Sequence, residues 1–290
     1  MSHSYSPLRY PGGKVKLYNY VRDLLKENNL LGETYIEPFA GGAGLALKLL
    51  ICGDVKRIVI NDLDPAIYAF WYSILNYTEE FCSLIEKTPI TVSEWHKQKS
   101  IYITQDTEDK LTLGFATFFL NRTNISGVIK GGVIGGQNQT GKYKINARFN
   151  KKSLIERIKL IATFKKNIII LNLDAKELLS AQNLSKYYKV FINIDPPYVQ
   201  KGSQLYQNSF SHEDHCELAK VIKQCNRKWI VTYDICPLIE KLYSDYYGSY
   251  LELNYSVHRN KKANEYIFFS KKTTIPSGIN IFNSSSYDVG

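Results

Sequence analysis

A doubly wound α/β sheet is the fold this sequence predicts, and three observations predict it. A short hydrophobic strand, Tyr35-Ile36-Glu37-Pro38-Phe39, runs into the glycine turn Gly41-Gly42-Ala43-Gly44 and then a helix over 45–50. A second strand at 57–61, R-I-V-I-N, ends on Asp62-Leu63-Asp64-Pro65. Further apolar strands at 167–173 and 190–194 lead into Asp174 and Asp195. A strand, a glycine turn, a helix and an acid-ended strand make the opening unit of a sheet whose ligands gather at the carboxyl ends of its strands.

The other elements fall around that unit. Val15, Tyr18, Val21, Leu24 and Leu25 recur at helical spacing ahead of the first strand. Between the second and third strands lie about a hundred residues where one crossover helix would suffice, so an insertion is expected there. It holds a helical stretch over 111–120 and a glycine-rich tract with Gly127, Gly131, Gly132, Gly135, Gly136 and Gly141. An amphipathic helix over 151–164 returns the chain to the sheet, burying Leu154, Ile155, Ile158, Ile161 and Ala162. Ser211 and Asp214 form a capping box before a helix through 218–222, and strands follow at 229–232, 251–255 and 266–269. The expected division is a Rossmann-like sheet domain of residues 1–72 and 151–290, with a mainly helical insertion, residues 73–150, carrying a hairpin.

Composition narrows the partners. The 290 residues carry a formal net charge of +10, which suits a polyanion, since lysine and arginine displace the counterions of phosphates. Cys52, Cys82, Cys216, Cys225 and Cys236 are odd in number, scattered and without a C-x-x-C pair, the pattern of reduced thiols in the cytoplasm. No apolar run approaches the roughly 20 residues of a membrane span, and no His or Cys spacing suits a metal, so neither a membrane nor a metal is expected.

Two constellations carry chemistry. In the first, the turn Phe39-Ala40-Gly41-Gly42-Ala43-Gly44 lets backbone approach a ligand, and Asp62 or Asp64, about twenty residues on, stands where a carboxylate binds ribose hydroxyls. The turn lacks the G-x-G-x-x-G spacing of a pyrophosphate cradle, which favours a cofactor with adenosine and no phosphate. In the second, Asp195-Pro196-Pro197-Tyr198 follows a hydrophobic strand. An aromatic amine is a poor nucleophile because its lone pair is delocalised into the ring. The Asp195 carboxylate and the Pro196 carbonyl, accepting its two N–H bonds, would localise that pair, and two prolines make the turn rigid. Tyr198 offers a face on which an extruded base stacks.

These motifs resemble the Dam-type (D12 class) family of DNA N6-adenine methyltransferases. Pro7-Leu8-Arg9-Tyr10-Pro11-Gly12-Gly13-Lys14 resembles the family's N-terminal cofactor motif, which assigns cofactor contacts to Tyr10 and Lys14. Glu37 to Gly44 resembles the motif around the methionine moiety, placing Glu37, Phe39, Gly41, Gly42 and Gly44 there. Asn61-Asp62 resembles the ribose motif and favours Asp62, Leu173-Asp174 the adenine segment, and Asp195 to Tyr198 the catalytic motif at the cofactor's methyl.

The resemblance makes the insertion a target-recognition region, with Asn121, Arg122, Asn124, Lys130, Lys142, Lys144 and Arg148 facing DNA. It implies S-adenosyl-L-methionine as cofactor, double-stranded DNA as substrate, a flipped-out adenine, a monomer, and a cytoplasmic setting in a bacterial or phage-infected cell, as in restriction-modification. The tract I-K-G-G-V-I-G-G-Q-N-Q-T-G-K-Y departs from the G-x-F-N element of members that methylate GATC, so the target sequence stays open. Methylation of cytosine N4 or of RNA adenine, and a DNA-binding protein without catalysis, are the rival readings. A dehydrogenase is disfavoured by the glycine spacing.

Overall fold

The computed structural model describes residues 5–10, 13–200, 210–254, 262–277 and 281–283, with the side chains of 252–264 and 281–283 left aside; Pro11, Gly12 and Tyr255 of the expected motifs lie outside these residues. Eight strands form one sheet in the order β3-β2-β1-β4-β5-β7-β6-β8. They are β1 (Thr34–Glu37), β2 (Arg57–Asn61), β3 (Ile168–Leu171), β4 (Val190–Ile194), β5 (Lys228–Asp234), β6 (Tyr247–Asn254), β7 (Lys262–Phe269) and β8 (Ile281–Asn283). The first five pair in parallel, and β7, β6 and β8 add an antiparallel edge. The order reverses between β1 and β4, so a crevice opens at their carboxyl ends, where such sheets bind ligands.

Both sheet faces are covered, which is why the parallel strands read as continuous apolar runs. Alternate residues divide between two cores. Tyr35, Ile58, Ile60, Phe191 and Ile230 join one, and Ile36, Val59, Ile192, Ile194 and Val231 join the other. The first is backed by α1 (Tyr18–Glu27), α2 (Gly44–Ile51) and α3 (Pro65–Asn76), and the second by helices including His212–Gln224, which starts at the Ser211–Asp214 capping box.

The insertion follows as α4 (Thr78–Lys87), α5 (Val92–Thr104) and α6 (Lys110–Thr123), and α7 (Lys151–Thr163) leads back to β3. It shares the first core rather than forming one of its own. Phe70 of α3 stacks on Phe118 of α6 at 5.9 Å, and Phe81, Phe115 and Phe149 meet the same cluster. The break expected between residues 72 and 73 therefore falls inside α3. Gly114 lets α6 approach α3 closely, because a Cβ there would lie 2.6 Å from the Ala69 carbonyl oxygen. The expected hairpin is reduced to one antiparallel bridge, Asn124 to Val133, and two short 3-10 turns. The glycine-rich tract takes positive φ at Gly127, Gly135 and Gly136, which no regular ladder accepts.

Candidate active site

The loops after β1, β2 and β4 meet at the crevice and wall a cavity of about 910 Å³. Tyr10, Lys14, Glu37, Phe39, Gly41, Gly42, Gly44, Asp62, Asp174, Asp195, Pro197 and Arg122 line it. That size admits a nucleoside-bearing cofactor with a second planar ligand.

The glycine turn is shaped from both sides. Gly41 takes φ +45°, and a Cβ on it would fall 2.5 Å from the Tyr10 ring. From beneath, Trp71 Nε1 donates to the Gly41 carbonyl at 2.9 Å. The Asp62 carboxylate accepts from Gly41 N at 2.9 Å and from Asp64 N at 3.0 Å. Burial, with the Asp64 carboxylate nearby, pushes Asp62 up to about 7. Asp64 instead caps α3 by accepting from Ala66 N. Both candidate acids line the cavity, Asp62 half-buried and Asp64 buried with one oxygen spent on the helix end. Asn61 ties the strand ends together, donating to the carbonyls of Pro38 and Leu173 and accepting from Leu173 N. Asp174 spends one oxygen capping the next helix through Lys176 N. Glu37 is buried and is pushed up to about 8, chiefly by desolvation and further by the Asp195 carboxylate. Phe39 sets its ring edge-on to Phe210 at 6.0 Å.

The turn after β4 is held by charge. Lys14 Nζ lies 2.9 Å from Asp195 Oδ1 and 3.2 Å from Glu265 Oε2, and it donates to Tyr198 OH at 2.8 Å. Thr232 of β5 donates to the same Asp195 Oδ1 at 2.7 Å. Oδ2 has no partner among the described residues. The Asp195 side chain keeps 21% of its surface, whereas Lys14 and Glu265 keep 3% each. Burial alone would lower Lys14, but the two carboxylates outweigh it and hold the ammonium above its ordinary value. Burial raises Asp195, Lys14 opposes the rise, and Glu265 adds to it. On the far side of the turn, the Asp234 carboxylate accepts from Val199 N at 3.0 Å and Gln200 N at 2.8 Å.

Tyr198 does not take the position expected of it. Its hydroxyl bonds Lys14 and Glu265, its ring lies 5.2 Å from the Lys14 ammonium, and it is 7% exposed. The ring is drawn inward, so neither Tyr198 nor Pro196 lines the cavity, while Asp195 and Pro197 do.

The DNA-facing set divides in the same way. Asn121 is fully buried; it accepts from Arg9 N and donates to the carbonyls of Arg9 and Gly127. Asn124, also fully buried, accepts from Trp95 Nε1 and donates to the carbonyls of Val128 and Ile129. Both amides are consumed in folding the tract, which corrects their expected place at DNA. Lys130, Lys142, Lys144 and Arg148 are exposed. Between them Tyr143 is 58% exposed, with the Lys142 and Arg148 cations over its ring. Arg122 is half-buried at the cavity wall.

Sequence reasoning did not single out Thr232, Asp234 or Glu265. Glu265 had a readable signal, since it is a carboxylate within the apolar run N-E-Y-I-F-F, and such a charge in a buried strand needs a cation. Among the described residues, no group of three or more His, Cys, Asp or Glu is disposed to hold a metal ion. No helix among them is long and apolar enough to cross a membrane.

Known proteins are similar to this chain in sequence. Type II methyltransferase M.CviBI of Paramecium bursaria Chlorella virus NC1A is 25% identical over 274 residues, covering 89% of this chain and 94% of that protein. Type II methyltransferase M.MjaIII of Methanocaldococcus jannaschii is 25% identical over 245 residues, covering 76% and 80%. Among solved structures, the rRNA methyltransferase aviRa from Streptomyces viridochromogenes aligns over 91% of this chain and 87% of its own at 11% identity. Its TM-score of 0.35 is too low to carry an argument. The D12 class N6 adenine-specific DNA methyltransferase family matches residues 10–262, a stretch that takes in the glycine turn, the Asp195 turn and the whole insertion. The chain belongs to that family of DNA-methylating enzymes.

Proposed function

We propose that the chain transfers a methyl group from S-adenosyl-L-methionine to N6 of an adenine turned out of double-stranded DNA into the cavity beside Asp195. The observation that carries this reading is the asymmetric loading of the Asp195 carboxylate. Lys14 and Thr232 occupy Oδ1, leaving Oδ2 to accept one N–H of the target amine. The Pro196 carbonyl, which does not line the cavity in the free protein, accepts the other once a base is seated against the turn, and the nitrogen lone pair is then aimed along the line of transfer. Lys14 acts here as a positioning residue beneath the carboxylate.

S-adenosyl-L-methionine, when bound, supplies an electrophilic methyl on a sulfonium whose departure leaves a neutral thioether, so no metal is needed. The residues present suit it. Asp62 takes the ribose hydroxyls, Asp174 flanks the adenine, and Phe39 lies with the glycine turn on the methionine side. The backbone of Gly41, Gly42 and Gly44 lies against the methionine portion, with Tyr10 packed over the turn. The raised carboxyl of Glu37 is matched to a nearby ammonium, which would favour its ionised form. The proton released from the methylated nitrogen leaves through Asp195 Oδ2 to solvent.

The insertion, residues 73–150, meets DNA through Arg122, Lys130, Lys142, Lys144 and Arg148, with Tyr143 as an exposed aromatic among them. Burial raises the Asp64 carboxyl at the cavity wall and Lys130 opposes the rise, which supports a place for part of this basic face near the rim. The reading takes the enzyme as a monomer acting on DNA in the cytoplasm. Transfer of labelled methyl to unmethylated genomic DNA tests the reading, followed by nucleoside analysis for N6-methyladenine. Asp195→Ala should lower transfer by roughly 10³-fold while cofactor affinity stays near that of the wild type. Near wild-type transfer by that variant, or a product other than N6-methyladenine, would overturn it.

A further inference from the structure

Four arginines gather around one another at the cavity wall and just beside it: Arg9, Arg122, Arg148 and Arg157. Three of them, Arg9, Arg122 and Arg157, line the cavity itself. None has a carboxylate partner among the described residues. They are held instead by backbone carbonyls. Arg9 Nη1 donates to Asn124 O at 3.0 Å, Arg122 Nη1 to Pro7 O at 3.4 Å, Arg122 Nη2 to Arg148 O, and Arg157 Nη1 to Ser6 O at 3.5 Å. The Arg122 Nε is buried with no hydrogen-bond partner. Burial, then repulsion from Arg9, Arg157 and Arg148, pulls Arg122 down to about 9. A cluster of like charges, partly desolvated and short of acceptors, is costly in the free protein and is relieved by an oxyanion with several lone pairs.

We propose that Arg9, Arg122 and Arg157 form a phosphate site for the DNA strand that feeds its base into the cavity. This rests on the base entering the cavity as described above, because a base turned inward brings its own sugar and adjoining phosphate to the rim. Guanidinium forks suit phosphate oxygens better than ammonium groups do. The cofactor's carboxylate offers similar oxyanion chemistry, and the experiment separates the two sources.

Arg157→Gln is the informative variant, because the one hydrogen bond of its side chain among the described residues is the long contact to Ser6 O. Methyl incorporation into unmethylated genomic DNA, measured over DNA concentration at several salt concentrations, gives KM and kcat. Filter binding of the same DNA gives affinity without requiring transfer. The variant should raise the KM for DNA roughly tenfold, with kcat within about threefold of wild type. It should flatten the slope of log affinity against log salt by about one, as expected for one lost phosphate contact. Affinity for S-adenosyl-L-methionine, measured by calorimetry, should stay within about twofold, and Tm should hold or rise as repulsion is relieved. An unchanged salt slope, or a weakened cofactor affinity with unchanged DNA binding, would overturn the proposal. So would a fall in Tm with an unchanged slope, which would make the arginine structural. If the wild type binds DNA and transfers nothing, the catalytic reading fails while filter binding still decides the phosphate site.

Discussion

Replacing Lys14 by methionine removes the cation that, among the described residues, the half-buried Asp195 and the buried Glu265 carboxylates share. The ammonium lies 2.9 Å from the first and 3.2 Å from the second, with 3% of the lysine side chain exposed. Breaking a buried pair by deleting one member costs about 3–5 kcal/mol, and here two acids are left facing each other. One of them relieves part of the cost by taking up a proton, so about 3 kcal/mol is expected. At roughly 2–4 °C per kcal/mol for a chain of this size, Tm should fall by about 6–12 °C in differential scanning calorimetry. With the opposing charge gone, Asp195 rises further above its ordinary value. The acid limb of kcat then moves to higher pH, and turnover at neutral pH falls by roughly 10²–10³-fold. Glu265→Gln should act in the opposite direction, because the Glu265 carboxylate is one of the groups that raise Asp195. Its acid limb should move to lower pH. Affinity for S-adenosyl-L-methionine discriminates between roles. If Lys14 supports Asp195, the cofactor Kd changes by less than about threefold while kcat collapses. A large loss of cofactor affinity with an unmoved pH profile would refute the reasoning and return Lys14 to the cofactor.

Asp62 and Glu37 make the free protein's stability depend on pH. Both carboxyls are raised in the fold, to about 7 and about 8, so the folded chain keeps protons that the unfolded chain has released. Their stabilising contribution is full below about pH 4 and is lost progressively as pH rises toward 7 and 8. Denaturant midpoints between pH 5 and 9 should show this loss, and Asp62→Asn should flatten it while weakening the cofactor about tenfold or more by calorimetry. Asn121→Ala should behave as a folding variant, since it deletes three hydrogen bonds, a buried one to Gly127 and two part-buried ones to Arg9. A loss of about 2–3 kcal/mol in denaturant unfolding is expected; unaltered stability with selectively weakened DNA binding would restore the amide to the DNA face.

The sheet was legible because its strands are buried on both faces and end on residues with a purpose. Val190 to Ile194 was read to the residue, and Asn61-Asp62 marked the end of β2. The direction of polar side chains was not legible. Asn121 and Asn124 flank Arg122, and nothing in N-R-T-N states that the amides turn into α6 and the following turn while the guanidinium reaches the cavity wall. Tyr198 is a similar case, since its inward pull comes from Glu265, which stands 67 residues away in sequence. Arg9 lies inside the Pro7-to-Lys14 motif, but its three arginine neighbours come from three other segments, and a cluster assembled by tertiary packing leaves no local pattern. The hairpin failed for a local reason, as positive φ at successive glycines bends the tract away from a ladder.

Residues 6–10 cross the molecule as a narrow strip between its two ligands' territories. Tyr10 presses on Gly41 and Gly42, while the next residue back is pinned through its N–H and its carbonyl by Asn121, and Ser6 and Pro7 receive Arg157 and Arg122. A cofactor that settles the tyrosine ring thus orders the backbone on which the arginines lean. Linkage makes such an effect mutual: whatever affinity for DNA is gained with the cofactor in place, the cofactor gains equally with DNA in place. Any such coupling then rests on five residues near the amino terminus, remote in sequence from the Asp195 turn.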